Sequence, residues 1–190
     1  MIETMRADAG PLTADAVRSA EPATMITEPA FDQIYRKTAR PLLRYLTRVG
    51  GDASLAEDIL QKTYIRLLQA TVPVMDEREM KNYLFRIASN LLSDHWRASG
   101  REKIFGFLPL RRARDEDDGN RDHDVRKMFE KLKPQERNLL WLAYVEGCTH
   151  EEIAQILRLE ASSIRVLLFR AKSRLAATLR ANGLVPEEVL

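Results

Sequence analysis

"THEEIAQILRLEASSIRVLLFRAKSRL", residues 149–175, carries two helical patterns rather than one. Isoleucine, leucine and alanine recur every three or four residues, but the register slips between Arg158 and Ser162. Thr149 followed by Glu152 has the spacing of a capping box, so a first helix starts there with Ile153, Ala154 and Leu157 inward. Arg158-Leu159-Glu160-Ala161 makes a turn, and Ser162 is placed to cap a second helix. That helix has Ile164, Leu168, Ala171, Leu175 and Leu179 as its buried stripe. A short helix, a tight turn and a second helix form a helix-turn-helix, whose second member lies in the DNA major groove.

The charge pattern agrees. From Ala161 to Pro186 there are five basic residues (Arg165, Arg170, Lys172, Arg174, Arg180) and no acidic one. Ser163, Arg165, Val166, Phe169, Arg170 and Lys172 fall off the buried stripe. Cations without intervening acids suit a phosphate backbone, and the helix N-terminus adds its own attraction for phosphate. A charge run by itself is usually a solvated face; the capped first helix and the turn tip the balance to DNA.

Outward from this stretch, the chain reads as all-α. Its 190 residues are 45% hydrophobic and 31% charged with few glycines, a composition of a folded helical protein. The net charge of +2 is small, so only the distribution of charge speaks about partners. One cysteine, Cys148, rules out an internal disulfide and fits a reducing compartment. There is no secretory signal pattern, and no apolar run approaches the ~20 residues of a membrane span. A cytoplasmic protein is expected. Residues 1–28 read as a mobile tail. A first helical segment carries Phe31, Ile34, Tyr35, Leu42, Leu43, Leu46 and Val49, ends at Gly50-Gly51, and should be kinked or divided by Pro41. Asp52 caps a second helix with Leu55, Ile59, Leu60, Tyr64, Leu67 and Leu68 on its inner stripe. "TVPVMDEREM" reads as a loop, and a third helix begins at "KNYLFRIASN". These give one domain at 29–98. A linker at 99–122 holds a basic cluster and the acidic run Asp115–Asp118. A second domain at 123–182 and a short tail at 183–190 complete the chain.

"LKPQERNLLWLAYVEGCTHEEIAQILRLEASSIRVLLFRAKSRL" closely resembles region 4 of extracytoplasmic-function (group 4) sigma factors of bacterial RNA polymerase. "DASLAEDILQKTYIRLL" resembles their region 2.2 and "NYLFRIASNLLSDHWR" their regions 2.3 and 2.4. The order region 2, short linker, region 4, without region 3, is that family's arrangement. The resemblance implies an alternative sigma factor that directs core RNA polymerase to promoter DNA and has no catalysis or cofactor of its own. Region 2.2 would dock on the clamp helices of the largest subunit through Glu57, Asp58 and Gln61. Regions 2.3 and 2.4 would open the −10 element and hold an extruded base with Arg86, Asn90, Asp94, His95, Trp96 and Arg97, Asn90 matching the motif directly. For Trp96 a core anchor and a stacking side chain are both open. Region 4 would read the −35 element with Ser162, Ser163, Arg165, Phe169, Arg170 and Lys172, and touch the polymerase flap. Val166 and Leu167 stand where many relatives carry a small polar and a basic residue, and Arg158 where a glycine often turns the chain. Control by an anti-sigma factor, in many relatives a membrane-bound one, is also implied. The linker acids fit either an RNA mimic or a tether.

Other classes fit less well. There is no glycine-rich phosphate loop or nucleophile elbow, and Cys148 with His150 falls short of the usual four ligands of structural zinc. A two-domain regulator using the same helix-turn-helix would bind its duplex without polymerase. The two halves, joined by the linker at 99–122, are expected to rearrange: apart on polymerase, and closed in the free state so that Arg165 and Asn90 are hidden.

Overall fold

The computed structural model describes residues 25–99 and 127–184. Apart from their ends, the tail expected at 1–28, the linker at 99–122 and the tail at 183–190 lie outside the described residues. The described chain is helical: α1 (Glu28–Gly50), α2 (Ala53–Gln69), α3 (Glu77–Ala98), a turn of helix at 127–130, then α4 (Pro134–Tyr144), α5 (His150–Leu157) and α6 (Ala161–Ala181). None of the described helices is long and apolar enough to cross a membrane.

Local chemistry sets most of the boundaries. Gly51 closes α1 at φ 78°, a conformation that needs no Cβ, and its N–H donates to the Thr47 carbonyl. Asp52 then caps α2 by accepting from the Leu55 N–H at 2.9 Å. Asp76 and Glu79 form a reciprocal capping box, so α3 starts at Glu77, earlier than the sequence reading placed it. Pro41 does not divide α1. A proline inside a helix costs about 3 kcal/mol, but Thr38, Leu42, Tyr45, Leu46 and Val49 are buried along one stripe on both sides of it, and that packing holds the helix continuous.

Helices α1, α2 and α3 enclose a core of Leu42, Leu46, Ile59, Leu67, Leu84, Ala88 and Leu92. Gly50 lies against it so closely that a Cβ there would meet Leu92 Cδ1 at 3.3 Å. Helices α4, α5 and α6 enclose a second group, Leu139, Leu142, Ile153, Ile156, Ile164, Leu168 and Ala171. The two groups are continuous. Fully buried Tyr45 of α1 stacks against Phe85 of α3 with ring centroids 5.0 Å apart, and its hydroxyl donates to Asn138 Oδ1 of α4 at 2.6 Å. The halves thus share apolar packing and a buried hydrogen bond in addition to the chain that links them. Arg137, beside it, is also buried, and burial pushes its guanidinium down to about 10.

Tyr45→Phe should keep the packing but strand the buried Asn138 oxygen, lowering stability by about 1–3 kcal/mol. Adding Asn138→Leu should return part of the loss. Urea unfolding of the two single variants and the double variant measures this, and equal midpoints for Tyr45→Phe and the parent would remove the bond from the account.

Candidate nucleic-acid interface

The turn between α5 and α6 is built by backbone geometry. Thr149 Oγ1 accepts the Glu152 N–H at 3.2 Å and Glu152 returns the bond to the Thr149 N–H at 2.7 Å, so α5 begins as read from the sequence. It ends at Arg158, whose φ of 54° makes it the one non-glycine residue with positive φ among the described residues. That left-handed residue lets the Leu159 N–H reach back to the Ala154 carbonyl at 2.9 Å. Glu160, not Ser162, is the N-cap of α6, and it makes no side-chain cap bond. Ser162 instead lies within the first turn, exposed. Ile164, Leu168 and Ala171 are buried and Leu175 and Leu179 half-buried, so the expected inward stripe is present.

The remaining face of α6 points to solvent. Ser162, Ser163, Arg165, Val166, Phe169, Arg170 and Lys172 are all exposed, Phe169 at 70% of its surface. Lys172 Nζ sits over the Tyr144 ring, 5.6 Å from its centroid, and Arg174 pairs with Glu136 at 3.2 Å. A groove of about 330 Å3 opens beside Lys172, lined by Phe129, Leu140, Trp141, Tyr144, Val145 and Leu175.

On α3 the structure brings four candidates together and separates two. Arg86, Asn90, Asp94 and Arg97 recur at helical spacing on one face, half-buried to exposed. Arg97 Nη2 donates to Asp94 Oδ1 at 2.6 Å, and the Arg86 guanidinium lies 5.1 Å from the Tyr83 ring centroid. His95 is half-buried and Trp96 is buried, so Trp96 is a core side chain in this arrangement. On α2, Glu57, Asp58 and Gln61 are exposed, Asp58 accepting from Lys62 Nζ at 2.6 Å. The same face continues into Ile65 and Leu68, exposed at 51% and 41%. Sequence reading missed Ile65 and placed Leu68 inside; their position one and two turns beyond Gln61 on a polar face was the available signal.

An adjoining face of α3 docks on α5. Glu152, besides its capping bond, receives Arg78 through both Nε and Nη2 and Asn82 Nδ2 at 2.8 Å. Lys81 reaches the nearly buried Glu146 at 2.9 Å, and Trp141 Nε1 donates to the same carboxylate at 2.9 Å. Ser89 Oγ donates to the Ile156 carbonyl at 3.1 Å. The halves are thus closed, yet Arg165 is exposed and Asn90 half-exposed. Closure does not hide Arg165, contrary to expectation, because α6 faces away from the α3–α5 seam. Cys148 lies near these carboxylates; burial, with Glu152 next, raises its thiol to about 11, which leaves it protonated and a poor nucleophile.

Comparison with known proteins places both halves. Residues 34–102 match the family described as Sigma-70 region 2, and residues 122–175 match Sigma-70, region 4. The ECF RNA polymerase sigma factor SigE of Mycolicibacterium smegmatis is 26% identical over 156 residues, covering 77% of this chain and 60% of that protein. The RNA polymerase sigma-E factor of Streptomyces avermitilis is 28% identical over 160 residues, covering 81% of this chain and 87% of its own length. In fold, the chain is similar to the sigma factor RpoE of Bartonella quintana, solved with the anti-sigma factor NepR. That likeness has a TM-score of 0.66 at 22% identity and covers 79% of this chain and 96% of the other.

Glu152→Gln tests the seam. Glutamine can still complete the capping box, so α5 should form as before, while the charge facing Arg78 is lost. Labels at Thr71 and Ser173 should then report a broader distance distribution than in the parent. The Arg78 hydrogen bond holds the Glu152 carboxyl down at about 2, well below its ordinary 4.5. Its contribution is therefore whole at neutral pH, fades as the pH falls below about 4.5 and is gone below about 2. An unchanged distribution for Glu152→Gln at neutral pH would show that these bonds do not hold the halves.

Proposed function

We infer the activity from the family: this chain belongs to the sigma-70 family of RNA polymerase sigma factors, in its extracytoplasmic-function branch, and acts as an alternative sigma factor. It binds core RNA polymerase and directs it to a promoter set, with no catalysis of its own, and works in the cytoplasm, where polymerase and promoter meet. The observation that carries this reading is one chain holding, in family order, two different unpartnered surfaces: the polar-then-apolar face of α2 and the cation-bearing outer face of a helix-turn-helix. A regulator that binds duplex DNA by itself has use only for the second.

In this reading Glu57, Asp58 and Gln61 meet the clamp helices of the largest subunit, with Ile65 and Leu68 supplying apolar contact beyond them. Arg86, Asn90, Asp94 and Arg97 form the strip that meets the opened −10 element, while His95 lies on the other side of α3 and outside it. Asparagine offers both a donor and an acceptor to a base edge, and arginine holds backbone and stacked bases of a single strand. Trp96 joins the DNA side only if α3 repacks. Ser162, Ser163, Arg165, Phe169, Arg170 and Lys172 face the −35 duplex. The groove beside Lys172, being apolar, suits the polymerase flap. An anti-sigma factor is the third partner, restraining the chain by covering the α2 and groove surfaces.

Run-off transcription with purified core polymerase tests the reading, a core-dependent transcript being the expected result. Asp58→Ala with Gln61→Ala should weaken core binding in a pull-down titration while leaving helicity unchanged, because both side chains are exposed. Asn90→Ala should spare closed-complex binding and slow strand opening, read by permanganate reactivity of unpaired thymines. Opening at the parental rate would take Asn90 out of base reading.

A further inference from the structure

The outer face of α6 is not uniformly basic. At 3.6 residues per turn, Ser162, Val166, Phe169 and Ser173 lie within about 60° of one another on the helix circumference, opposite the buried Ile164, Leu168 and Ala171. All four are exposed. They form a crest whose middle is apolar. Arg165 and Lys172 fall on one flank of that crest, Arg170 and Arg174 on the other. No acidic residue interrupts the face between Ala161 and Pro186.

Valine and phenylalanine, 49% and 70% exposed and adjacent on the helix surface, make an apolar strip inside a basic face that a partner can cover. Cations on both sides specify its charge: the cover is a polyanion with an apolar feature at its centre. A duplex major groove has that profile, with phosphates on both rims and the C5-methyl of thymine between them. Resting on the sigma-factor reading above, we propose that Val166 and Phe169 read the methyl groups of neighbouring thymines in the −35 element, while Arg165 and Arg170 hold the phosphates on either side. Residues three apart on a helix have Cβ atoms about 5–6 Å apart. Successive base pairs rise by about 3.4 Å, so the pair spans adjacent or next-adjacent steps. Ser162 and Ser173 put hydroxyls at the two ends of the crest, where either donor or acceptor edges can be met. The division of labour differs from one in which the arginines carry specificity: here they supply affinity, and the apolar pair supplies sequence preference.

Holoenzyme reconstituted from the full chain and bacterial core polymerase is used to select duplexes from a pool randomised across the −35 region. Each selected thymine is then replaced by uracil, which removes only the methyl. Two thymine positions should each lose about fourfold in binding when demethylated, the worth of one buried methyl group. Val166→Ser should abolish the penalty at one position and Phe169→Ser at the other. Arg165→Ala should weaken every duplex and keep both penalties. Both apolar residues are exposed, so these variants should fold, and unchanged far-UV circular dichroism checks this. A selected element without thymine, uracil tolerated at every position, or penalties surviving in both serine variants would each overturn the proposal. Run-off transcription on the same templates separates the two levels. A transcript that forms while uracil is silent overturns methyl reading but leaves the sigma role standing; no core-dependent transcript overturns both.

Discussion

Arg158 holds a backbone conformation that most side chains avoid, and the direction of α6 depends on it. A non-glycine residue in the left-handed region costs about 1–2 kcal/mol. The cost is offset locally, because the turn lets α5 close its last carbonyls and start a new helix three residues later. From that one reversal follow the burial of Ile164, Leu168 and Ala171 against the neighbouring helices and the exposure of everything opposite them. An Arg158→Gly change would relieve the strain in the turn but loosen the unfolded chain, and the helix-turn-helix would keep its geometry.

Glu152 connects this motif to the rest of the molecule. One carboxylate completes the cap of α5 and receives Arg78 and Asn82 from α3, so local helix initiation and docking of the halves share a group. Elsewhere the seam holds the Lys81–Glu146 pair and the Tyr45–Phe85 contact, within apolar packing that runs through both halves. Polar and apolar contacts together hold the halves closed. Because α3 uses one face for docking and an adjoining one for Asn90, closure leaves the proposed promoter strip accessible.

The parts of the fold legible in the sequence were those fixed by near neighbours in the chain: the Thr149–Glu152 cap, Asp52, the Gly50-Gly51 stop and the inward stripe of α6. Asp76 and Glu79 had the same spacing and went unread, because Pro73 and the charges around it suggested a loop. The features that stayed illegible depend on contacts distant in sequence. Pro41 inside a helix, buried Arg137, and Tyr45 bonded to Asn138 across 93 positions follow from tertiary packing overriding local preference. The candidate sites divide likewise. Arg165, Phe169 and Arg170 were visible as residues off a periodic stripe, whereas the burial of Trp96 and the exposure of Leu68 depend on which neighbours cover each helix face.

A footprint of promoter DNA, taken with the chain and repeated with the chain on core polymerase, tests the central claim most directly. Two surfaces that act together predict protection of the −10 and −35 regions only when core is present, with thymines near −10 becoming reactive to permanganate. Equal protection of a duplex site by the chain without core, and no gain on adding it, would contradict the account and make this a helix-turn-helix regulator.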